Sequence, residues 1–130
     1  MVLSHETDSS QHPYWYARVL KIFHVNVRDY GEHSRSSEVQ RFDILFVRWF
    51  GRRITRSPIF HSRCLPRVGF LPEEDPDAFG FLDPDVVIRG VHLIPSFSEG
   101  LTGGLLVGHS IARQVSSESN DDWACFEVNM

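Results

Sequence analysis

The chain has 130 residues, a net charge of −4, 42% apolar residues and 23% charged residues. That is the size and balance of one folded domain with a core of its own. It excludes a strongly basic nucleic-acid binder on bulk charge, and no apolar run approaches the roughly 20 residues of a membrane-spanning helix.

The opening residues 1–12 are polar, read as a disordered arm, and contain no apolar stretch of signal-peptide type. From Pro13 the sequence YWYARVLKIFHVNVR alternates. Trp15, Ala17, Val19, Phe23, Val25 and Val27 share one parity, while Arg18, His24, Asn26 and Arg28 share the other. This is the period of a half-buried strand. Lys21 breaks the apolar parity, so a bulge is expected there. Residues 29–40, DYGEHSRSSEVQ, form a polar connection to the densest apolar run of the chain, RFDILFVRWFGRR at 41–53. Phe42, Ile44, Phe46 and Phe50 fall on one face of that run, and Leu45, Val47 and Trp49 on the other. A strand apolar on both faces belongs inside a sheet, with Phe46, Val47 and Trp49 largely buried.

Residues 51–61 read as loop. Residues 63–71, RCLPRVGFL, read as a third strand placed at an edge or bulge by Pro66, which lacks the amide a ladder needs. Turn formers and acids dominate residues 72–85. Asp83-Pro84 has the signature of a helix entry, with Asp as cap and Pro in the first turn, and Gly90 keeps any helix short. Residues 91–95, VHLIP, and 123–128 complete the strands. Leu105-Leu106-Val107 has no clear period. Several short strands separated by turns, with no helix of length, make a mainly β domain over residues 13–130: a small, partly open β-barrel with a short helix or helical turn near 83–88. Asn129-Met130 follow the last strand at once, which points to truncation at the C-terminus.

Four constellations carry candidate chemistry. Arg48, Arg52, Arg53, Arg56, Arg63 and Arg67 lie in a stretch without acids, and Lys21 is the only lysine. Arg52, Arg53 and Arg56 follow the central strand and form a candidate phosphate-binding rim within an arginine-rich segment, 48–67. The acids Glu73, Glu74, Asp75, Asp77, Asp83 and Asp85 come directly after it and either face it or repel the same phosphates. Tyr14, Tyr16, Trp49 and Trp123, with Trp15 and Phe50 nearby, are candidate walls of an aromatic cage for a methylated ammonium group, with Glu73–Asp77 as counter-charge; the alternative is that these rings are core. His61 and Cys64 have ligand-like spacing, with His92, His109 and Cys125 elsewhere, but a structural zinc needs two close pairs. No metal or other cofactor is expected, and both thiols are expected free in a reducing compartment. No hydrolase, metalloprotease or phosphate-loop motif is present, so no enzyme is expected.

HPYWYARVLKIFHVNVR, FVRWFGRR, PRVGFLPEEDPDAFGFLDPDVVIRGVHLIPSF and DDWACFEVN together resemble a C-terminal segment that recurs in proteins encoded by DNA transposons of mushroom-forming fungi. The resemblance spans residues 12–129. Ala124-Cys125 and Glu127 stand where that family is richer in tyrosine, and the family continues past Met130. A second resemblance is to the bromo-adjacent homology domain. Trp15-Tyr16-Ala17-Arg18-Val19 is similar to its opening strand, Val47-Arg48-Trp49-Phe50 to its central strand, and Ile88-Arg89-Gly90-Val91-His92 to a later one. These likenesses imply a barrel of bromo-adjacent homology or SH3-like type, in a nuclear, transposon-derived protein. The implied role is a non-catalytic interaction module with a protein or histone-tail peptide as partner. The alternative is a nucleic-acid-binding accessory domain using the arginine-rich segment.

Overall fold

The computed structural model describes residues 1–4, 12–31, 38–53, 65–102 and 122–130. It is mainly β, a sheet curled into a partly open barrel with isolated 3-10 turns. The strands are β1 (Val2–Leu3), β2 (Tyr14–Val27), β3 (Gln40–Arg52), β4 (Arg67–Phe70), β5 (Phe79–Leu82), β6 (His92–Pro95) and β7 (Phe126–Asn129). They run in the order β1-β2-β3-β4-β7-β6, and β5 also pairs with β3. All pairings among the described strands are antiparallel.

β3 is the strand on which the others assemble, as its two-sided apolar pattern predicts. β2 lies along one side of it, while β5 takes Leu45 to Arg48 on the other side and β4 takes Phe50 to Arg52. Leu45 and Val47 are buried on one face, Arg48 and Phe50 on the other. Phe46 and Trp49 are only half-buried, short of the burial expected. The reason is position: Phe46 sits where the hairpin begins to outrun the barrel, and Trp49 lies near the end of β3, on the face opposite the aromatic core.

The expected bulge is present. The β2–β3 register shifts between Val19 and Lys21. Its consequence is a change of parity that alternation alone does not show. Before the bulge, Tyr16 and Arg18 share the face of Phe50 and Arg48; after it, Lys21 and Phe23 share the face of Phe46 and Ile44. The interior face therefore runs through even positions first and odd positions afterwards. Leu20, the inserted residue, is buried in the core.

That core comprises Tyr16, Leu20, Phe50, Val68, Phe70, Phe126 and Val128. Phe50 and Phe70 stack at 4.5 Å, and Phe126 meets both edge-on. β4 can approach β7 closely because residue 69 is glycine; a Cβ there would stand 2.7 Å from the Ala124 carbonyl oxygen.

Two short elements carry no signal of their own in the sequence. Val2–Leu3 pairs with Tyr14 and Trp15, so these two residues belong to the sheet rather than to a disordered arm, while residues 5–11 of that arm lie outside the described residues. Phe79–Leu82, inside the segment read as acidic turn, is a strand on β3. The turn at Pro84–Val86 is capped as expected: the Asp83 carboxylate accepts from the Asp85 amide at 2.9 Å. Beyond it, the Ile88 amide donates to the Met1 carbonyl at 3.0 Å, and the Met1 amino group donates to the Arg89 carbonyl at 3.2 Å. These bonds bring the approach to β6 back to β1 and curl the sheet.

Candidate functional site

The four candidate cage aromatics occupy three places. Tyr14 and Tyr16 lie on the interior face, each with its ring 5.7 Å from that of His12. Tyr16 is 2% exposed and donates its hydroxyl to the Met130 sulfur at 3.5 Å. Burial raises the Tyr16 pKa, with the neighbouring Tyr14 acting in the same direction. Trp123 packs edge-on against exposed Phe97, 5.0 Å between rings. Trp49 lies on the opposite face from Tyr16, because Tyr16 pairs with Phe50 and Ala17 with Trp49. One cage built from Tyr14, Tyr16, Trp49 and Trp123 is therefore not assembled.

The structure brings together a different pair. Trp15 and Trp49 are both half-buried on the face of Leu45 and Val47, opposite the aromatic core, with ring centres 5.9 Å apart and planes at 76°. Ala17, opposite Trp49, leaves room on one side. Gly80 leaves room on the other, since a Cβ there would lie 2.7 Å from the indole nitrogen of Trp49. Large rings lean over small residues on neighbouring strands, a common way to fill a sheet surface.

The backbone of Trp49 also anchors the acidic turn. Its amide donates to the Ala78 carbonyl at 2.9 Å, and its carbonyl accepts from the Leu71 amide at 3.3 Å. Residues 72–77 are pinched between these bonds. Within the turn, Asp75 accepts from Asp77 through its side chain and from Ala78 through its carbonyl, both at 2.9 Å. Glu73, Glu74 and Asp77 stay exposed. Two indoles near a right angle, one of them on the strand that holds an acidic turn, can accept a cation against their π faces.

The arginines divide as sharply. Arg52 and Arg53 are exposed at the end of β3; Arg56 and Arg63 lie outside the described residues. Arg67 donates to the Ser96 hydroxyl at 2.9 Å and to Glu99 at 3.0 Å, and the Glu99 bond raises its pKa. Arg48 is fully buried and donates to the Leu71 carbonyl at 3.0 Å. Its guanidinium carbon is 4.8 Å from the Phe79 ring centre and 5.2 Å from that of Phe70. Burial lowers the Arg48 pKa, Arg18 adds to that, and Glu73 and Asp122 oppose it. The arginine-rich segment thus sends Arg48 to the core and Arg67 to an ion pair.

The inward-facing charges carry no signal in the sequence. Arg18, on the parity read as polar, points inward and pairs with Asp122; their side chains are 13% and 8% exposed. Phe50, Phe70 and Phe126 surround the Arg18 guanidinium at 5.9, 4.8 and 5.5 Å. No local signal links residues 18 and 122.

Among the described residues no group of His, Cys, Asp and Glu could hold a metal ion. His61, Cys64 and His109 lie outside those residues. His92 is an exposed strand residue, and Cys125 is a buried free thiol. No described helix is long and apolar enough to cross a membrane.

No family model matches this sequence. No curated protein and no solved structure gives a significant match either.

Proposed function

We propose that this chain is a non-catalytic interaction module of a nuclear, transposon-derived protein, a reader of a protein or histone-tail peptide. The observation that carries the reading is the Trp15–Trp49 pair, two half-buried indoles near a right angle on neighbouring strands. The acidic turn fastened to the Trp49 backbone supports it by supplying negative charge at the same strand end. A methylated ammonium group suits such a place, because its charge is spread over apolar methyl groups and it is weakly hydrated.

The test is a titration of tryptophan fluorescence and of amide NMR shifts with one lysine peptide, unmodified or trimethylated. Trimethylation should tighten binding, with shifts centred on Trp15, Trp49 and Gly80, and Trp49→Ala should abolish the preference. Equal affinity for both peptides, or shifts confined elsewhere, refutes the reading.

A second reading has one observation in its favour: Arg52 and Arg53 are both exposed where β3 ends. As a nucleic-acid contact they would give affinity for a DNA duplex that falls steeply with salt, through release of counterions. Arg52→Ser with Arg53→Ser should then reduce the salt slope. A duplex that binds weakly or not at all at low salt removes this alternative.

A further inference from the structure

Gly80 lies inside β5, directly opposite Val47. A glycine in a strand interior needs a reason, since it weakens the strand. The backbone supplies none: its φ is not in the left-handed region, which among the described glycines only Gly100 occupies. The reason is the ring beside it. A Cβ at position 80 would stand 2.7 Å from Nε1 of Trp49, 3.6 Å from Cε2 and 3.7 Å from Cδ1. The nitrogen-bearing edge of the indole therefore lies over Gly80, closer than any other residue would allow.

β5 cannot retreat to make room. Phe79 and Phe81 pair with Arg48 and Phe46 and project to the face opposite Gly80. There Phe79 stacks on Phe46, with ring centres 5.8 Å apart and planes 10° apart, and Phe81 meets Phe46 at 5.2 Å. The Arg48 guanidinium lies 4.8 Å from the Phe79 ring centre. The bond from the Trp49 amide to the Ala78 carbonyl, 2.9 Å, fixes the approach to the strand. On the other side of β3, Trp15 meets the Trp49 ring across β2. The indole is thus set between a fixed strand and a second indole.

We propose that Gly80 sets the selectivity of the Trp15–Trp49 site: carrying no Cβ, it lets the Trp49 indole lie across β5 at the angle to Trp15 that offers both π faces to a quaternary ammonium group. The inference rests on the reader function proposed above and adds to it the residue that positions the ring. Cation–π attraction requires the cation over the ring face, within about 6 Å of its centre. A methyl group at position 80 must push Nε1 away by about 1 Å to reach ordinary contact distance. With β5 fixed, the indole moves outward or toward Trp15. Either movement changes the relation between the two rings while leaving the strands paired.

The test uses the full chain and one lysine peptide, unmodified or trimethylated, with the indole N–H resonances followed by NMR. Gly80→Ala should move the Trp49 indole resonance before any peptide is added and leave that of Trp123 in place. It should lower the preference for the trimethylated peptide about tenfold, the factor that one desolvated cation–π contact supplies. Affinity for the unmodified peptide should not change, which separates positioning of the ring from damage to the fold. In a Trp49→Ala background, Gly80→Ala should change neither affinity, because no ring is left to displace. Should Gly80→Ala fail to fold, Ala17→Leu fills the other side of the same ring and should give the same loss. A folded variant of either kind that keeps the preference overturns the inference. So does one that loses affinity for both peptides alike, or a Gly80→Ala effect that persists without Trp49. A parent chain with no preference for trimethylation refutes the reader function and this inference with it. A parent chain that has the preference, with a Gly80→Ala variant that keeps it, refutes the inference alone.

Discussion

Replacing Asp122 with alanine should destabilise the domain by about 3–5 kcal/mol, the usual cost of removing one partner of a buried ion pair. The Arg18 guanidinium is held under three phenylalanine rings and is 13% exposed, so solvent cannot replace the lost carboxylate. At an effective dielectric constant of about 20, charges 3–4 Å apart attract by roughly 4–5 kcal/mol; the desolvation of Arg18 is no longer offset once that attraction is gone. Fully buried Arg48 is close enough to feel both charges, and its repulsion with Arg18 would be less compensated. The Thr102 bonds go to the Asp122 backbone carbonyl and survive the change. Urea unfolding followed by tryptophan fluorescence gives the number, and at about 4 °C per kcal/mol the melting temperature should fall by about 12–20 °C. The diagnostic experiment is the cycle. Arg18→Met should cost a similar amount alone, whereas Arg18→Met with Asp122→Leu should lie within about 1–2 kcal/mol of the parent, because neither charge is then left unpaired. Single effects that simply add in the double variant would refute the coupling, and with it the account of why a salt bridge sits inside this barrel.

Phe50→Ala should cost about 3–5 kcal/mol, because it empties the centre of the aromatic core, while half-buried Phe46→Ala should cost clearly less; equal losses in urea unfolding would misplace the core. Gly69→Ala should cost about 1–3 kcal/mol by forcing its methyl against the Ala124 carbonyl, whereas Gly90→Ala, with open space around it, should cost less than 1. His12 should titrate below 6.5, since burial lowers its pKa and the Arg52 charge acts in the same direction. Because the folded value is depressed, the His12 contribution to stability is complete above pH 6.5 and is lost as the pH falls through the folded value. An NMR titration checks the midpoint, and Arg52→Gln should move it upward.

Much of this fold is local in origin. Alternation along 14–27 and the two-sided apolar run at 41–53 are enough to specify a long hairpin with its central strand, because the pleat has period two and burial selects which face is apolar. Lys21, the one misfit, marks the bulge, and Asp83-Pro84 marks the capped turn for equally local reasons. Alternation also separates Trp15 from Tyr14 and Tyr16. It cannot say which of them meets Trp49, because that depends on a cross-strand register set by packing. The bulge compounds this by switching the interior from even to odd positions, which is why Arg18 reads as a surface residue and yet faces inward, its side chain 13% exposed. β1 and β5 are too short to carry a period; Val2–Leu3 and Phe79–Leu82 become strands only because longer neighbours offer them hydrogen bonds. The Arg18–Asp122 pair joins residues more than a hundred positions apart. A contact of that separation leaves no mark on either segment, and only the curled sheet brings the two charges together.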